Sequence, residues 1–576
     1  MNTAEYLIKK LEEFGISDIF GVAGDYNFNI LSEIENNQNI NWIGCTNELN
    51  AGYAADGYAR QKGFGAIVTT YGVGELSAIN AIAGSYAENV PVIHIVGTPS
   101  INKFKGEKTL HHSLNNKDYK IFFETQKNIV ETSAFLTTDN AKLEIDRVLK
   151  TFYKERKPVY IAIPEDIATL EITYRDVDYD WVSDSENLEE VIKLASEKIN
   201  NALKPVIIAD TLIKRFSAKQ KFIDFVAQSN LPVTNFLMGK GIVNSDCKNY
   251  IGDFLTKYGN PDVDKIVKET DCLISVGVIY GDDNSYNANL PFKINSHIAI
   301  YGTYTYIDGK RYENVKMTDV LSGITKYIKQ RNFDINIDKT GYQLCKPQKE
   351  SLNSNYIYSR LQEFIKGEDI IIAESGLIPH GISRMYLPEN IEIHSSLLWC
   401  SIGWATAATL GVCIANPKAR VILITGDGAH QISAMEIGNM FRYGVKPIIV
   451  VINNQGYGVE RLLSKTPDAK FNNIMQIDFP KFVRSFNGDV WSTSAKTEDD
   501  FDKALRVTQI MDKLCYIEAV TDKTDIPDSA KMLTKINLVK NSVQKENEWA
   551  KTSISTIKYE TNVHTSMKYC EEIENE

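Results

Sequence analysis

Short apolar runs alternate with helically spaced segments along most of the chain. In residues 1 to about 175, Tyr6, Leu7, Leu11 and Phe14 recur at helical spacing, and Asp18-Ile19-Phe20-Gly21-Val22 follows as a short strand. That strand ends in Ala23-Gly24-Asp25-Tyr26-Asn27, a turn of φ-permissive and side-chain-bonding residues. Trp42-Ile43-Gly44-Cys45 reads as the next strand, and Asn47-Glu48 opens a helix of small residues, LNAGYAADGYAR. Ala66-Ile67-Val68-Thr69-Thr70 then leads to Gly72-Val73-Gly74-Glu75, and the runs 91–97 and 158–164 add two more strands. This alternation predicts an open parallel sheet with helices on both faces.

An acidic polar stretch from Asp176 to Asp184 interrupts the pattern, which returns more loosely between about 190 and 340. There the strands are 205–209, 231–234 and 272–277, and no G-x-G-x-x-G follows any of them, so a dinucleotide site has little support. A second polar stretch, near Gln330 to Asn355, precedes a third α/β region reaching about residue 540, whose first strand Ile370-Ile371-Ile372-Ala373 ends in Glu374-Ser375-Gly376. The domains predicted are therefore 1–175, 190–340 and 355–540, each a doubly wound parallel sheet, with a polar tail over 546–576. The strongest pattern lies in the third region. Arg420 to Thr425 is an apolar strand ending at Gly426-Asp427-Gly428. Ile432, Met435, Ile437, Met440 and Phe441 mark a helix from His430 to Tyr443 that Gly444 stops, and Pro447 to Ile452 is a second buried strand.

A chain of 576 residues exceeds one core, and its length alone suggests roughly three or four domains. With 63 basic and 74 acidic side chains, a net charge of -11 leaves no basic footprint for nucleic acid. The eight cysteines include no C-x-x-C pair, which fits a reducing compartment better than a disulfide framework. The N-terminus reads as an amphipathic helix without an apolar h-region, and no run approaches ~18 apolar residues, so the expectation is a cytoplasmic protein with no membrane partner.

In a right-handed βαβ unit, Asp427 and Asn454 come to lie side by side, just past the carboxyl ends of neighbouring strands. One carboxylate and one amide oxygen suit magnesium, which keeps water and phosphate oxygens as its other ligands. Gly428 lets backbone approach a phosphate, and the helix start favours an anion. Gly426-Asp427-Gly428 followed by Asn453-Asn454 resembles the signature of thiamine-diphosphate enzymes. The continuation Gly456-Tyr457-Gly458-Val459-Glu460 resembles the 2-oxo acid decarboxylases among them, the pyruvate, indolepyruvate and branched-chain enzymes.

That resemblance, which covers residues 1 to about 540, implies three domains of the thiamine-diphosphate type, with thiamine diphosphate and magnesium as cofactors. It implies that Asp427, Asn454 and Gly456 hold the metal, and that Gly426, Gly428 and Ala429 join them around the diphosphate. Glu48 matches the glutamate that bonds the pyrimidine ring; read without the family, it is a first-turn glutamate complementing a helix dipole. Ile402 matches the wedge that folds the two cofactor rings together, and the Cys400 carbonyl matches the acceptor for the pyrimidine amine. His111 and His112, with Asp25 and Glu460, match the proton-handling group over the cofactor. Glu48 and Asp427 come from different subunits in this family, so a homodimer is the smallest competent unit and a homotetramer the usual assembly.

Three departures qualify the match. Leu377 stands where relatives usually carry Thr or Asp, Pro379-His380 replaces aromatic or small apolar pocket residues, and Gly458 replaces a threonine. Asp210-Thr211-Leu212 also lacks the cysteine through which some relatives are activated. With Pro379, His380, Val459 and Leu463 expected around the substrate side chain, the smaller Val459 favours a larger 2-oxo acid, aromatic or branched, over pyruvate. A carboligase of the acetolactate synthase type is the rival, disfavoured by His111-His112 and Glu460. A catalytically silent relative is another, kept open by Leu377.

Overall fold

The apolar runs become three sheets, each with helices on both faces. The computed structural model describes residues 1–256, 259–285, 296–332, 337, 339 and 341–531; the tail over 546–576 lies outside them. The first sheet contains β1 (Asp18–Gly21), β2 (Asn41–Gly44), β3 (Gly65–Thr70), β4 (Val92–Thr98), β5 (Thr132–Phe135) and β6 (Val159–Pro164), in the order β2-β1-β3-β4-β6-β5. All its pairings are parallel. Every residue of β3, β4 and β6 is buried, as continuous apolar runs covered on both faces should be.

The third sheet has the same plan. Its strands are β14 (Ile370–Ala373), β15 (Glu392–Ser395), β16 (Val421–Gly426), β17 (Ile448–Asn453), β18 (Val490–Ala495) and β19 (Leu514–Val520), ordered β15-β14-β16-β17-β19-β18.

The middle sheet departs from the all-parallel expectation at one edge. Its strands β7 (Pro205–Ala209), β8 (Val233–Asn235), β9 (Tyr250–Asp253) and β10 (Cys272–Val276) pair in parallel with one another and with β11 (His297–Ile300). Then β12 (Tyr304–Ile307) and β13 (Lys310–Glu313) fold back antiparallel. Asp308-Gly309 makes the two-residue turn, both residues at positive φ (52° and 82°), the geometry that matches strand twist. That Asp-Gly pair between alternating Tyr and Ile was the available signal in the sequence.

A second difference lies after β16. The helix expected from His430 begins at Asp427, runs to Ser433, gives way to a 3-10 turn over Ala434–Glu436, and resumes as Ile437–Arg442. Gly444, at φ 67°, ends it as expected.

The first and third domains meet where the Glu48–Lys62 helix crosses the Trp404–Ala415 helix. A β-carbon at Gly57 would stand 2.3 Å from the Ala408 carbonyl oxygen, and one at Gly411 1.8 Å from that of Ala54. The small-residue composition of both helices is therefore a condition of this close crossing. Among the described residues, no helix is long and apolar enough to cross a membrane, and all seven cysteines are free thiols.

Candidate active site

Parallel pairing of β16 with β17 sets Gly426 opposite Ile452, so the turns after both strands share one sheet edge. Asp427 is buried there. Its Oδ1 accepts the Gly428 N–H at 2.9 Å and its Oδ2 the Gly456 N–H at 3.0 Å, which ties the two turns together. Burial pushes the Asp427 carboxyl up to about 6, opposed by the backbone N–H groups of Gly428, Gly456 and Gln455. Arg461, also buried, staples the second turn: Nη1 donates to the Asn454 carbonyl at 2.8 Å and Nη2 to the Gln455 carbonyl at 2.8 Å. Sequence reasoning passed over Arg461 although it follows Glu460 directly, because a lone surface-type arginine carries no local signal. Gly456 is obligatory at φ 152°, since a β-carbon there would lie 2.1 Å from the Asn472 carbonyl oxygen.

These turns open onto a cleft lined by Gly426, Asp427, Gly428, Ala429, Asn454 and Gly456, and beyond them by Leu377, Ile402, Val459 and Glu460. Leu377 and Gly458, two separate departures in the sequence, meet here. A β-carbon at 458 would be 2.9 Å from Leu377 Cδ1 and 2.5 Å from Asn454 Nδ2. Ile402 sits on a turn held from two sides. Glu374, buried at the end of β14, accepts the Gly403 N–H at 3.1 Å, while Ser401 Oγ and the Tyr53 hydroxyl of the first domain lie 2.6 Å apart. Burial raises the Glu374 carboxyl to about 7, against hydrogen bonds from Ser375, Gly403 and Ala405. Cys400 is exposed on this turn, with φ 53°.

The remaining residues lie elsewhere in the chain. Glu48 is half-buried at the first position of its helix, with Asn47 as N-cap. Nearby, Asp25, His111 and His112 form a cluster whose potential ligand atoms all lie within 4.8 Å of one another. His111 Nε2 is 2.8 Å from Asp25 Oδ2, its Nδ1 is 3.1 Å from the Tyr26 hydroxyl, and the His111 and Tyr26 rings stack. His112 has φ 62° and a buried Nδ1 with no partner among the described residues. The residues lining the cleft at Asp427 include none of these first-domain residues.

Of the residues expected around a substrate side chain, Val459 lines the cleft and Leu463 is exposed one turn further on. Pro379 and His380 are buried in the Leu377–Ser383 helix, and His380 Nε2 faces Asp283 of the middle domain at 3.5 Å. A larger cavity, about 800 Å³, lies away from this site. It runs between the first and third domains past Asn41, Val421 and Pro447, at the amino ends of their strands. Open α/β sheets bind ligands outside the carboxyl ends, which favours the smaller cleft.

Residues 1–120, 192–318 and 380–519 match models of the N-terminal TPP binding domain, the central domain and the C-terminal TPP binding domain of thiamine pyrophosphate enzymes. The chain is 33% identical over 557 residues to pyruvate decarboxylase isozyme 1 of Saccharomyces cerevisiae, an alignment covering 94% of this chain and 99% of that one. It is 33% identical to the pyruvate decarboxylases of Kluyveromyces lactis (91% and 96% covered) and Candida glabrata (92% and 98%). With a model matched to part or all of each sheet and the relatives spanned almost end to end, the chain belongs to the thiamine-diphosphate-dependent 2-oxo acid decarboxylase family.

Proposed function

We propose that this carboxy-lyase converts a 2-oxo acid to an aldehyde and carbon dioxide in a site assembled from two copies of the chain. The observation that carries the reading is the cleft at the carboxyl ends of β16 and β17. There a buried, backbone-held carboxylate adjoins an amide, and a β-carbon at Gly426 would meet nothing within 4 Å. Such a donor set and such a cradle fit a magnesium-bound diphosphate, with Asp427, Asn454 and the Gly456 carbonyl as metal ligands. When bound, thiamine diphosphate supplies a nucleophilic carbon and takes up the electron pair released with carbon dioxide.

The chain's own groups supply the rest. Ile402 would give an apolar surface to the cofactor rings, and the Cys400 carbonyl would be an acceptor for the cofactor's amine. Glu48 holds a proton at the pyrimidine nitrogen. His111, paired with Asp25 and backed by Tyr26, moves protons at Nε2, and His112 and Glu460 complete the relay at the carbonyl carbon and oxygen of the substrate. Exposed apolar side chains flank both half-sites, Val73 and Leu76 near Glu48, Ile432 and Met435 after Asp427, and a second copy is the partner that would cover them. Pairing of such dimers gives the tetramer.

For the substrate, the relatives named as pyruvate decarboxylases support pyruvate. A larger 2-oxo acid is the second reading. It rests on Val459 alone, because Pro379 and His380 are buried in their helix and are not among the residues that line the cleft. The test is aldehyde formation from pyruvate, 2-oxoisovalerate, phenylpyruvate and indolepyruvate. The expected outcome is the highest kcat/KM for pyruvate; a tenfold advantage for a larger acid establishes the second reading, and no aldehyde from any of them overturns the proposed reaction.

A further inference from the structure

The turn that presents Glu48 is gripped from the third domain of the same chain. Within its own domain, residues 44–50 are held by the Cys45 N–H donating to the Gly21 carbonyl at 3.0 Å and by the N-cap Asn47, whose side chain accepts the Asn50 N–H at 2.8 Å. The short helices that follow Asp427 supply a denser set of bonds. Glu436 Oε2 accepts the Thr46 N–H at 3.3 Å and Asn50 Nδ2 at 3.0 Å, while Oε1 accepts Asn439 Nδ2 at 2.7 Å. Asn439 Nδ2 also donates to Thr46 Oγ1 at 3.3 Å, and the Tyr443 hydroxyl accepts the Gly44 N–H at 2.7 Å. Glu436 is fully buried.

We propose that Glu436 is a positioning residue for Glu48, and that segment 427–443 transmits occupancy of the diphosphate end to the turn at 44–50. A buried carboxylate with three donors has no alternative partners in water, so it defines where those donors stand. Two of them, on Thr46 and Asn50, bracket Glu48. The same short segment begins at Asp427, so an anion that orders the helix start also bears on Glu436, nine residues on. The inference rests on the role proposed for Glu48. In the dimer, the Glu48 held in this way serves the cofactor bound by the other copy.

The test uses the full-length cofactor-free protein with magnesium and inorganic pyrophosphate, a probe that fills the diphosphate end and is too short to reach Glu48. In the wild type, hydrogen–deuterium exchange should slow at 427–443 and also at 44–50. In Glu436→Ala, pyrophosphate should still slow 427–433 but leave 44–50 unchanged. With cofactor and substrate, kcat should fall up to about 100-fold while KM stays within about twofold, the signature of a misplaced group rather than a lost binding contact. Glu436→Gln keeps one acceptor oxygen and should fall between, about tenfold down; it carries the test if the alanine variant does not fold. Pyrophosphate protection at 44–50 that survives both substitutions, or a kcat within twofold of wild type in both, overturns the inference. Absence of protection at 427–433 in the wild type overturns the cofactor reading instead, and this inference with it.

Discussion

At the scale of single residues, two departures from the family pattern meet in space. A β-carbon at 458 would stand 2.9 Å from Leu377 Cδ1 and 2.5 Å from Asn454 Nδ2, so any side chain there must displace the ends of one or both. Restoring threonine at 458 alone must displace Leu377 or the Asn454 amide, an overpacking cost of about 1–3 kcal/mol. Because Asn454 is a proposed metal ligand, magnesium and cofactor affinity should fall with it. Leu377→Thr relieves the contact at 2.9 Å but not the one with Asn454 at 2.5 Å, so the double variant Leu377→Thr/Gly458→Thr should recover part of the lost melting temperature and affinity. Thermal unfolding and calorimetric titration of the two single variants and the double check this. Additive losses would mean that the two positions are independent.

At the scale of elements, the turn between β3 and the Val73–Ala87 helix spaces two catalytic candidates. A β-carbon at Gly72 would lie 2.2 Å from the His112 carbonyl oxygen, and one at Gly74 3.2 Å from a Glu48 carboxylate oxygen. The turn is clamped by buried Glu75, which accepts the Gly72 N–H at 2.8 Å and the Tyr160 hydroxyl of β6 at 2.7 Å. Burial raises the Glu75 carboxyl to about 7, only partly opposed by those two donors. A carboxyl raised on folding binds its proton more tightly in the native state. The stability it contributes is present in full below about 4.5 and is lost as pH rises through about 7. Linkage sets the size of that loss at roughly 3 kcal/mol. Glu75→Gln cannot ionise. Its melting temperature relative to wild type should therefore climb between about pH 5 and 8, and a difference that stays flat across this range would show that Glu75 does not titrate there.

At the scale of the whole molecule, the two half-sites make a dimer testable without a structure of one. Glu48→Gln and Asp427→Ala chains should each be inactive as homodimers. In a mixed dimer of the proposed kind, the Glu48 of one chain would meet the Asp427 of the other, leaving one of the two sites intact. Random reassortment of equal amounts should thus recover about a quarter of wild-type activity. No recovery on mixing, with exchange of subunits verified, would place both groups of a site in one chain.

What could be read from the chain alone followed from local rules. Apolar run length and turn chemistry at Gly426-Asp427-Gly428 and Asn453-Asn454 reach the physics through a few neighbouring residues, so the parallel strands, the adjacency of Asp427 to the Asn454 turn and the domain order were legible. Side-chain direction was not. His380 and Glu460 both lie on short helices near the cleft, yet His380 turns to Asp283 in the middle domain and Glu460 stays exposed at the cleft wall, a choice made by packing between distant segments. The same holds for Glu436, which reaches across 386 residues to Asn50, and for the contact of Leu377 with the space at Gly458. Periodicity says which face of an element is apolar; only the assembled tertiary structure decides which neighbour each polar group meets, because each buried donor or acceptor must find its partner wherever the fold brings one.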